Sequence, residues 1–211
     1  MPAIRVWSSE LGAFGTNCYI IACNATGQSV VIDPGADDPW IAETLKANGL
    51  KPELILLTHG HLDHIGGIAG TKRLTGAKVA VQGEDAAMLV DPMFNGSARF
   101  GKPITAPPPD RLLRDGDEVM VGELRFGVIH TPGHTPGGAC FYYAGDGGHL
   151  FSGDTLFAGS IGRTDLTGGN FDDLITSIKT KLLTLPPDTT VYPGHGPTTS
   201  IGDEKEYNPF L

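Results

Sequence analysis

The feature that most constrains this chain is the apolar run Leu54-Ile55-Leu56-Leu57, which passes directly into Thr58-His59-Gly60-His61-Leu62-Asp63-His64. A short run without polar alternation predicts a strand, Glu53–Leu57, buried on both faces. The segment after the strand holds four metal-ligand residue types in seven positions, and three of the chain's seven histidines fall within six. His59 and His61 are two apart, so an extended loop turns both imidazoles to one side. Asp63 and His64 fall where the chain enters a helix and can face a second, nearby ion. Gly60 lets the backbone pass close to the site.

The remaining ligand candidates repeat one arrangement: a strand, then a loop with a glycine beside the donor. His134 stands in Thr131-Pro132-Gly133-His134-Thr135, Asp154 in Ser152-Gly153-Asp154-Thr155, and His195 in Pro193-Gly194-His195-Gly196. Donors at the carboxyl ends of several strands converge on one edge of the sheets. Five histidines and two aspartates hold two ions with Asp154 bridging, and ions about 3.5–4 Å apart share one hydroxide. Asp33, after a strand in Val31-Ile32-Asp33-Pro34-Gly35, is either an acceptor for the ring N–H of a ligand histidine or a simple turn residue. His130 ends a strand beside the site and is a candidate support for it. His149, in a glycine-rich turn, reads as a surface residue.

The pattern along the 211 residues is short apolar strands alternating with glycine and proline, 30 and 16 of them. Strands are expected at Ala3–Trp7, Cys18–Cys23, Ser29–Ile32, Lys78–Val81, Arg111–Arg114, Glu118–Val121, Leu124–His130, Ala139–Ala144, His149–Phe151 and Thr189–Tyr192. Helices are expected from Asp38-Pro39 to Asn48-Gly49, over Ile65–Leu74, Glu84–Val90 and Phe171–Leu185. Asp91–Asp110 has no period and reads as a functional loop or a disordered insert; as a loop it brings Met93, Phe94 and Phe100 to a wall or lid of the cleft. Strands and helices in both halves predict two stacked sheets with helices outside. No linker separates the halves, so residues 1–211 are expected to form one domain.

The net charge of −9 argues against nucleic acid and against a polybasic membrane anchor, because phosphate surfaces attract basic faces. No apolar stretch approaches the roughly 20 residues needed to span a bilayer. The opening residues lack a signal-peptide build. Cys18, Cys23 and Cys140 have no paired spacing, so free thiols and a cytoplasmic location are expected. The oligomeric state is open.

These motifs resemble the metallo-β-lactamase superfamily over nearly the whole chain. The resemblance implies an α/β fold, the four-layer αββα sandwich. It implies His59, His61 and His134 on one ion, Asp63, His64 and His195 on the other, and Asp154 between them. Lactamases proper lack the bridging aspartate in this place. Flavodiiron oxygen reductases carry a glutamate where His61 stands and add a flavin domain. Thr131–Thr135, Ser152–Phe157, Gly159-Ser160-Ile161-Gly162-Arg163-Thr164-Asp165 and Asn208-Pro209-Phe210-Leu211 resemble short members of the glyoxalase II (hydroxyacylglutathione hydrolase) branch. A C-terminal glutathione-binding helical domain is not expected, and Arg163 stands where long members carry a glutathione-contacting lysine.

The implied activity is hydrolysis of a small-molecule thioester. Two divalent ions, zinc foremost with iron or manganese suited to the same ligands, provide a metal-bridging hydroxide as nucleophile. Asp63 orients that hydroxide as well as ligating. Arg163 meets a substrate carboxylate, unless it pairs with Asp165. The alternatives are a persulfide dioxygenase with one iron, which shares the Gly-Arg-Thr-Asp stretch, a lactonase of the same superfamily, and a non-catalytic metal-binding protein.

Overall fold

The computed structural model describes residues 3–211, and its strands follow the two-residue side-chain period wherever two layers meet. In β2 (Thr16–Cys23), Tyr19, Ile21 and Cys23 face one way into a large core, while Cys18, Ile20 and Ala22 face the opposite way. Every residue of this strand is buried, because one face meets the other sheet and the second meets a helix. The strand expected before the histidine motif, β4 (Lys51–Leu56), divides likewise: Leu54 and Leu56 inward, Ile55 outward.

The first sheet runs in the order β1 (Ile4–Leu11), β2, β3 (Gln28–Ile32), β4, β5 (Lys78–Gln82), β6 (Arg111–Leu113). Its first three strands are antiparallel neighbours, and β3 through β6 are parallel. The second sheet runs β14 (Thr199–Ser200), β13 (Thr190–Pro193), β10 (His149–Gly153), β9 (Ala139–Tyr143), β8 (Leu124–His130), β7 (Glu118–Val121). A separate hairpin pairs β11 (Leu156–Phe157) with β12 (Ser160–Ile161).

Tyr19, Ile32, Leu56, Phe126, Phe141 and Phe151 belong to the core between the sheets. Outside the first sheet, α1 (Pro39–Asn48) buries Ile41 and Leu45, and α2 (Leu62–Ile65) with α3 (Ile68–Thr75) buries Ile65 and Ile68. Outside the second, α4 (Phe171–Ser177) and α5 (Ile201–Tyr207) cover Cys140, Leu150 and Val191. The order of layers is therefore αββα, the expected sandwich. No helix among the described residues is long and apolar enough to cross a membrane, and the three cysteines are free and buried.

Local signals explain most boundaries. The Asp38 side chain accepts from Trp40 N at 2.9 Å, Pro39 opens α1, and Gly49 closes it with φ 63°. The helix expected over 65–74 is two pieces, because the chain turns at Gly66-Gly67 after one turn of α2. That over 171–185 is α-helical only to Ser177 and continues as a π-helical turn, Ile178–Leu182.

The stretch from Asp91 to Asp110 is not uniformly loose. Its last third is structural: Ala106 N donates to Leu89 O at 2.7 Å, and Asp110 accepts from Val79 N at 2.8 Å. Its middle carries a tight helical turn, Ser97–Phe100.

Candidate metal centre

The parallel strands of the first sheet and strands β8, β10 and β13 of the second point their carboxyl ends at one edge, and every candidate donor stands just beyond one of these strands. His59, His61, Asp63 and His64 follow β4. His134 follows β8, Asp154 follows β10 and His195 follows β13. The structure brings all seven together. His61 Nδ1 lies 2.9 Å from His134 Nε2. Asp154 Oδ2 lies 3.5 Å from both His134 Nε2 and His195 Nε2, and its Oδ1 lies 3.4 Å from His64 Nε2. Asp63 Oδ2 is 3.2 Å from His195 Nε2 and 3.6 Å from His64 Nε2.

Two glycines make this convergence possible. Gly153 sits at a register shift in β10 with φ 51°, which re-aims the chain so that Asp154 leaves the strand toward the centre. Gly194 passes so close that a Cβ there would collide with the Asp154 carboxylate. The His195 loop is held from the opposite sheet. Asn17 N donates to Gly194 O at 2.7 Å, the Asn17 side chain reaches Pro193 O and Gly196 O, and Tyr19 Oη donates to Pro193 O at 2.6 Å.

Hydrogen bonds behind the donors set their tautomers. Asp33, left-handed at φ 49°, accepts from His64 Nδ1 at 2.9 Å and from the Thr58 hydroxyl at 2.6 Å. That hydroxyl, its own proton committed to Asp33, accepts from His59 Nδ1 at 3.1 Å. One carboxylate thus orients two imidazoles, His64 directly and His59 through Thr58. His134 Nδ1 donates to the backbone carbonyl of Arg163 at 2.8 Å. In His59 and His134 the second nitrogen, Nε2, is left with its lone pair toward the centre, and His64 turns its Nε2 to the same centre.

The charges are matched to a cation. Burial, then the neighbouring histidines, holds His59 well below its ordinary pKa and pushes His61 down to about 3, so both are neutral lone-pair donors. Burial opposes a charge on His64, but Asp154, Asp63 and Asp33 outweigh it and raise that pKa well above the ordinary value. Burial likewise works against ionisation of Asp63 and Asp154; His64 and its neighbours overcome it and hold both carboxyls low. His59 Nε2, His64 Nε2 and Asp154 Oδ1 are buried without a hydrogen-bond partner. Such atoms are costly unless something satisfies them, and a divalent cation among nitrogen and carboxylate donors does so. Among the described residues three sets of donors have their ligand atoms within 4.8 Å of one another inside each set: His59, His61, His134; His59, His64, Asp154; and Asp63, His64, His195. The seven residues fit two ions.

Sequence reasoning missed two buried acids, Asp85 and Glu204. Asp85, just beyond β5, is fully buried and accepts from Gly60 N at 2.9 Å, the Thr135 hydroxyl at 2.8 Å and Gly137 N at 2.7 Å. It ties the loop of His59 and His61 to the loop of His134. Burial outweighs these bonds and raises its pKa. Its position past a strand end, shared with Asp33 and Asp154, was the available signal. Helix α5 and the terminal Asn208 were missed as supports too. Buried Glu204 accepts from Gly159 N at 2.9 Å, and Asn208 Nδ2 donates to Ser160 O at 3.0 Å, bracing the β11–β12 hairpin.

Two other expectations, for His130 and His149, need revision, and for Arg163 the structure shows the alternative, the pair with Asp165. The Arg163 side chain makes a two-point pair with Asp165 at 2.7 and 2.8 Å, and it is the backbone of Arg163 that serves the centre. His130 acts on a loop rather than on a donor, meeting Pro136 O at 2.8 Å. His149 is half-buried between Tyr143 and Tyr192, with Nδ1 3.1 Å from the Tyr192 hydroxyl.

The centre opens into a cleft of about 600 Å³. Phe14, Leu62, Phe94, Phe100, Phe157 and Ile161 supply its apolar wall. The Asp91–Asp110 stretch does contribute to that wall, through Phe94 and Phe100 but not Met93.

Residues 11–195 match the family model of the metallo-beta-lactamase superfamily, and the chain belongs to that superfamily as a metallo-hydrolase. It is 41% identical over 202 residues to the probable metallo-hydrolase YqgX of Bacillus subtilis, covering 95% of this chain and 94% of that one. It is 38% identical over 201 residues to the hydroxyacylglutathione hydrolase GloC of Haemophilus influenzae, covering 94% of each. Among solved structures, the B3 metallo-beta-lactamase BLEG-1 superimposes with a TM-score of 0.94 at 42% identity over 98% of this chain and 99% of that one. The di-iron-bound form of TTHA1623 gives 0.87 at 38% over 98% and 100%. ETHE1 from Myxococcus xanthus gives 0.77 at 32% over 97% and 83%.

Proposed function

We propose that this chain is a binuclear metal-dependent hydrolase of thioesters, with activity of the hydroxyacylglutathione hydrolase (glyoxalase II) kind. The observation that carries the reading is the complete set of seven donors joined at Asp154, at the floor of an apolar-walled cleft. The likeness to GloC at full length supports the same substrate class. His59, His61 and His134 would hold one ion, Asp63, His64 and His195 the other, with Asp154 common to both. Zinc is the first candidate, and the likeness to a di-iron-bound structure keeps iron beside it.

When bound, a pair of divalent ions supplies Lewis acidity that polarises a carbonyl and brings the pKa of water toward 7. The protein's own part is placement. Asp63, fixed by the Thr16 hydroxyl at 2.9 Å, orients the attacking oxygen. Asp33, Thr58 and the Arg163 carbonyl hold three imidazoles at fixed angles, so little reorganisation is needed during the reaction. No side-chain nucleophile is required. A thiolate leaves without a strong general acid, since a thiol's pKa is about 8.5. The phenylalanine wall shelters the acyl and thiol carbons from water.

The Gly162-Arg163-Thr164-Asp165 stretch favours a second reading, a persulfide dioxygenase with one iron. Free-thiol release from hydroxyacyl thioesters under nitrogen, beside oxygen uptake with glutathione persulfide and ring opening of a β-lactam and a lactone, separates the readings. Anaerobic thiol release is expected to dominate. Oxygen uptake without thiol release would overturn the assignment for the dioxygenase, and turnover confined to the β-lactam or the lactone would overturn it for a lactamase or lactonase.

A further inference from the structure

We propose that Arg99 is the specificity residue of the cleft, selecting thioesters whose thiol portion ends in a carboxylate. The proposal rests on the thioester reading above.

Among the described residues two arginines line the cleft, Arg99 and Arg163. They are electrically unequal. Arg163 is neutralised by Asp165, whose carboxyl it holds down to about 2. The Arg99 guanidinium contacts only a neutral group, the Thr167 hydroxyl at 3.1 Å, and among the described residues no carboxylate lies within ion-pair distance of it. A guanidinium with open donors presents a fork that fits a carboxylate.

The turn that carries Arg99 is built rather than draped. Asn95 and Ser97, both fully buried, staple it. Asn95 Nδ2 donates to Met88 O and Ile104 O at 2.9 Å each, and Asn95 Oδ1 accepts from Ser97 N at 3.0 Å. Ile104 N donates to the Ser97 hydroxyl at 2.8 Å. The neighbour of Arg99, Phe100, packs edge-on against Phe14 with ring centroids 5.4 Å apart, joining this turn to the β1–β2 connection. Phe14, Phe94 and Phe100 stay 48%, 49% and 63% exposed while forming this wall. The arrangement is an apolar channel with a fixed positive charge on its flank. Among the described residues and apart from the metal centre itself, Arg99 is then the cation on the cleft wall without an acidic partner, in a chain whose net charge is −9.

The experiment compares one hydroxyacyl group carried on 3-mercaptopropionate, 3-mercaptopropionamide, 6-mercaptohexanoate and 6-mercaptohexanamide. Within each pair only the charge differs. The metal-loaded wild type is expected to favour the carboxylate at one chain length or both. Arg99→Met keeps the stem and removes the charge. It should raise KM for the preferred carboxylate about tenfold, a typical effect of one charge-assisted pair at a partly open site. Its kcat and its KM for the amide should stay within about twofold. Arg163→Met should leave the preference intact. Calorimetric titration of the metal-loaded protein with the free thiols gives a second readout that does not depend on turnover: the carboxylate should bind more tightly than the amide, and Arg99→Met should erase the difference. Absence of a carboxylate preference in binding, its survival in Arg99→Met, or its loss in Arg163→Met instead, each overturns the proposal. Loss of thioester turnover with the binding preference intact overturns the hydrolase reading and leaves the role of Arg99 standing.

Discussion

Replacing Asp85 tests whether the site depends on an acid that lies outside the donor set. Its carboxylate accepts three hydrogen bonds from two loops, two on Oδ2 and one on Oδ1. In Asp85→Ala all three donors lose their acceptor. A buried donor left unpaired costs about 1–3 kcal/mol, so the sum is roughly 3–5 kcal/mol after the Thr135 hydroxyl has turned to another partner. Asp85→Asn keeps the shape. Its carbonyl can still serve Gly60 N and the Thr135 hydroxyl, but its NH₂ then faces Gly137 N, 2.7 Å away. That loses one bond and adds a donor–donor clash. Relief from burying a charge offsets part of this, leaving about 1–2 kcal/mol. For a chain of this size each kcal/mol moves Tm by about 2–4 °C.

The functional expectation is separate from the stability one. Because Asp85 joins the loop of His59 and His61 to that of His134, Asp85→Asn should weaken metal binding about 10–100-fold, the usual effect of removing a partner behind the ligands. Thermal unfolding of the chelator-treated protein measures the first quantity, and chelator competition on the folded protein measures the second. A variant with lowered Tm and wild-type metal affinity would refute the reasoning, since Asp85 would then support the fold without aligning the loops. An unchanged Tm in both variants would refute the hydrogen-bond accounting itself.

Asp33→Asn should fold, because asparagine tolerates the left-handed backbone at this position, yet lose about 10–100-fold in metal affinity by chelator competition, since it no longer anchors both His64 and the Thr58–His59 pair. Gly194→Ala pushes a methyl group onto the Asp154 carboxylate; about 1–3 kcal/mol of overpacking and a clear drop in bound metal by elemental analysis are expected. Metal-replete protein should hold close to two ions per chain, and stripping them should lower Tm, because a site saturated at about 100 times its Kd contributes roughly 2.7 kcal/mol. Phe100→Ala should change KM across thioesters of different acyl size while leaving metal content at the wild-type level, and equal loss of metal would make that wall structural.

The donors were legible in the sequence because each stands in the same local setting, a strand end with a glycine beside it. The layers were legible because β2 and β4 are apolar runs without polar alternation, the mark of burial on both faces, while α4 carries a single apolar stripe. The supports were harder to see. Asp85 and Glu204 act over long stretches of chain, on Gly137 and Gly159 respectively, and nothing local to either residue announces the partner. The pairing of Arg163 with Asp165 was legible, but the part its carbonyl plays in orienting His134 was not. The strands β11, β12 and β14 are two residues each, too short for any period to register. His149 stands beside two glycines, a turn signal that conceals its stacking against Tyr192.

The donors are divided between the halves of the sandwich, four on the first sheet's edge and three on the second's. Neither sheet carries a full set for both ions. The pair of ions would therefore act as a rivet through two plates: it cannot be set until the plates have met, and it resists their parting afterwards. In folding, ordered metal capture must come late, after contacts as distant along the chain as Asn17 to Gly194 have formed. In the finished protein a bound pair would hold the seam between the sheets shut, so hydrogen exchange along that seam should be faster in the stripped protein than in the loaded one.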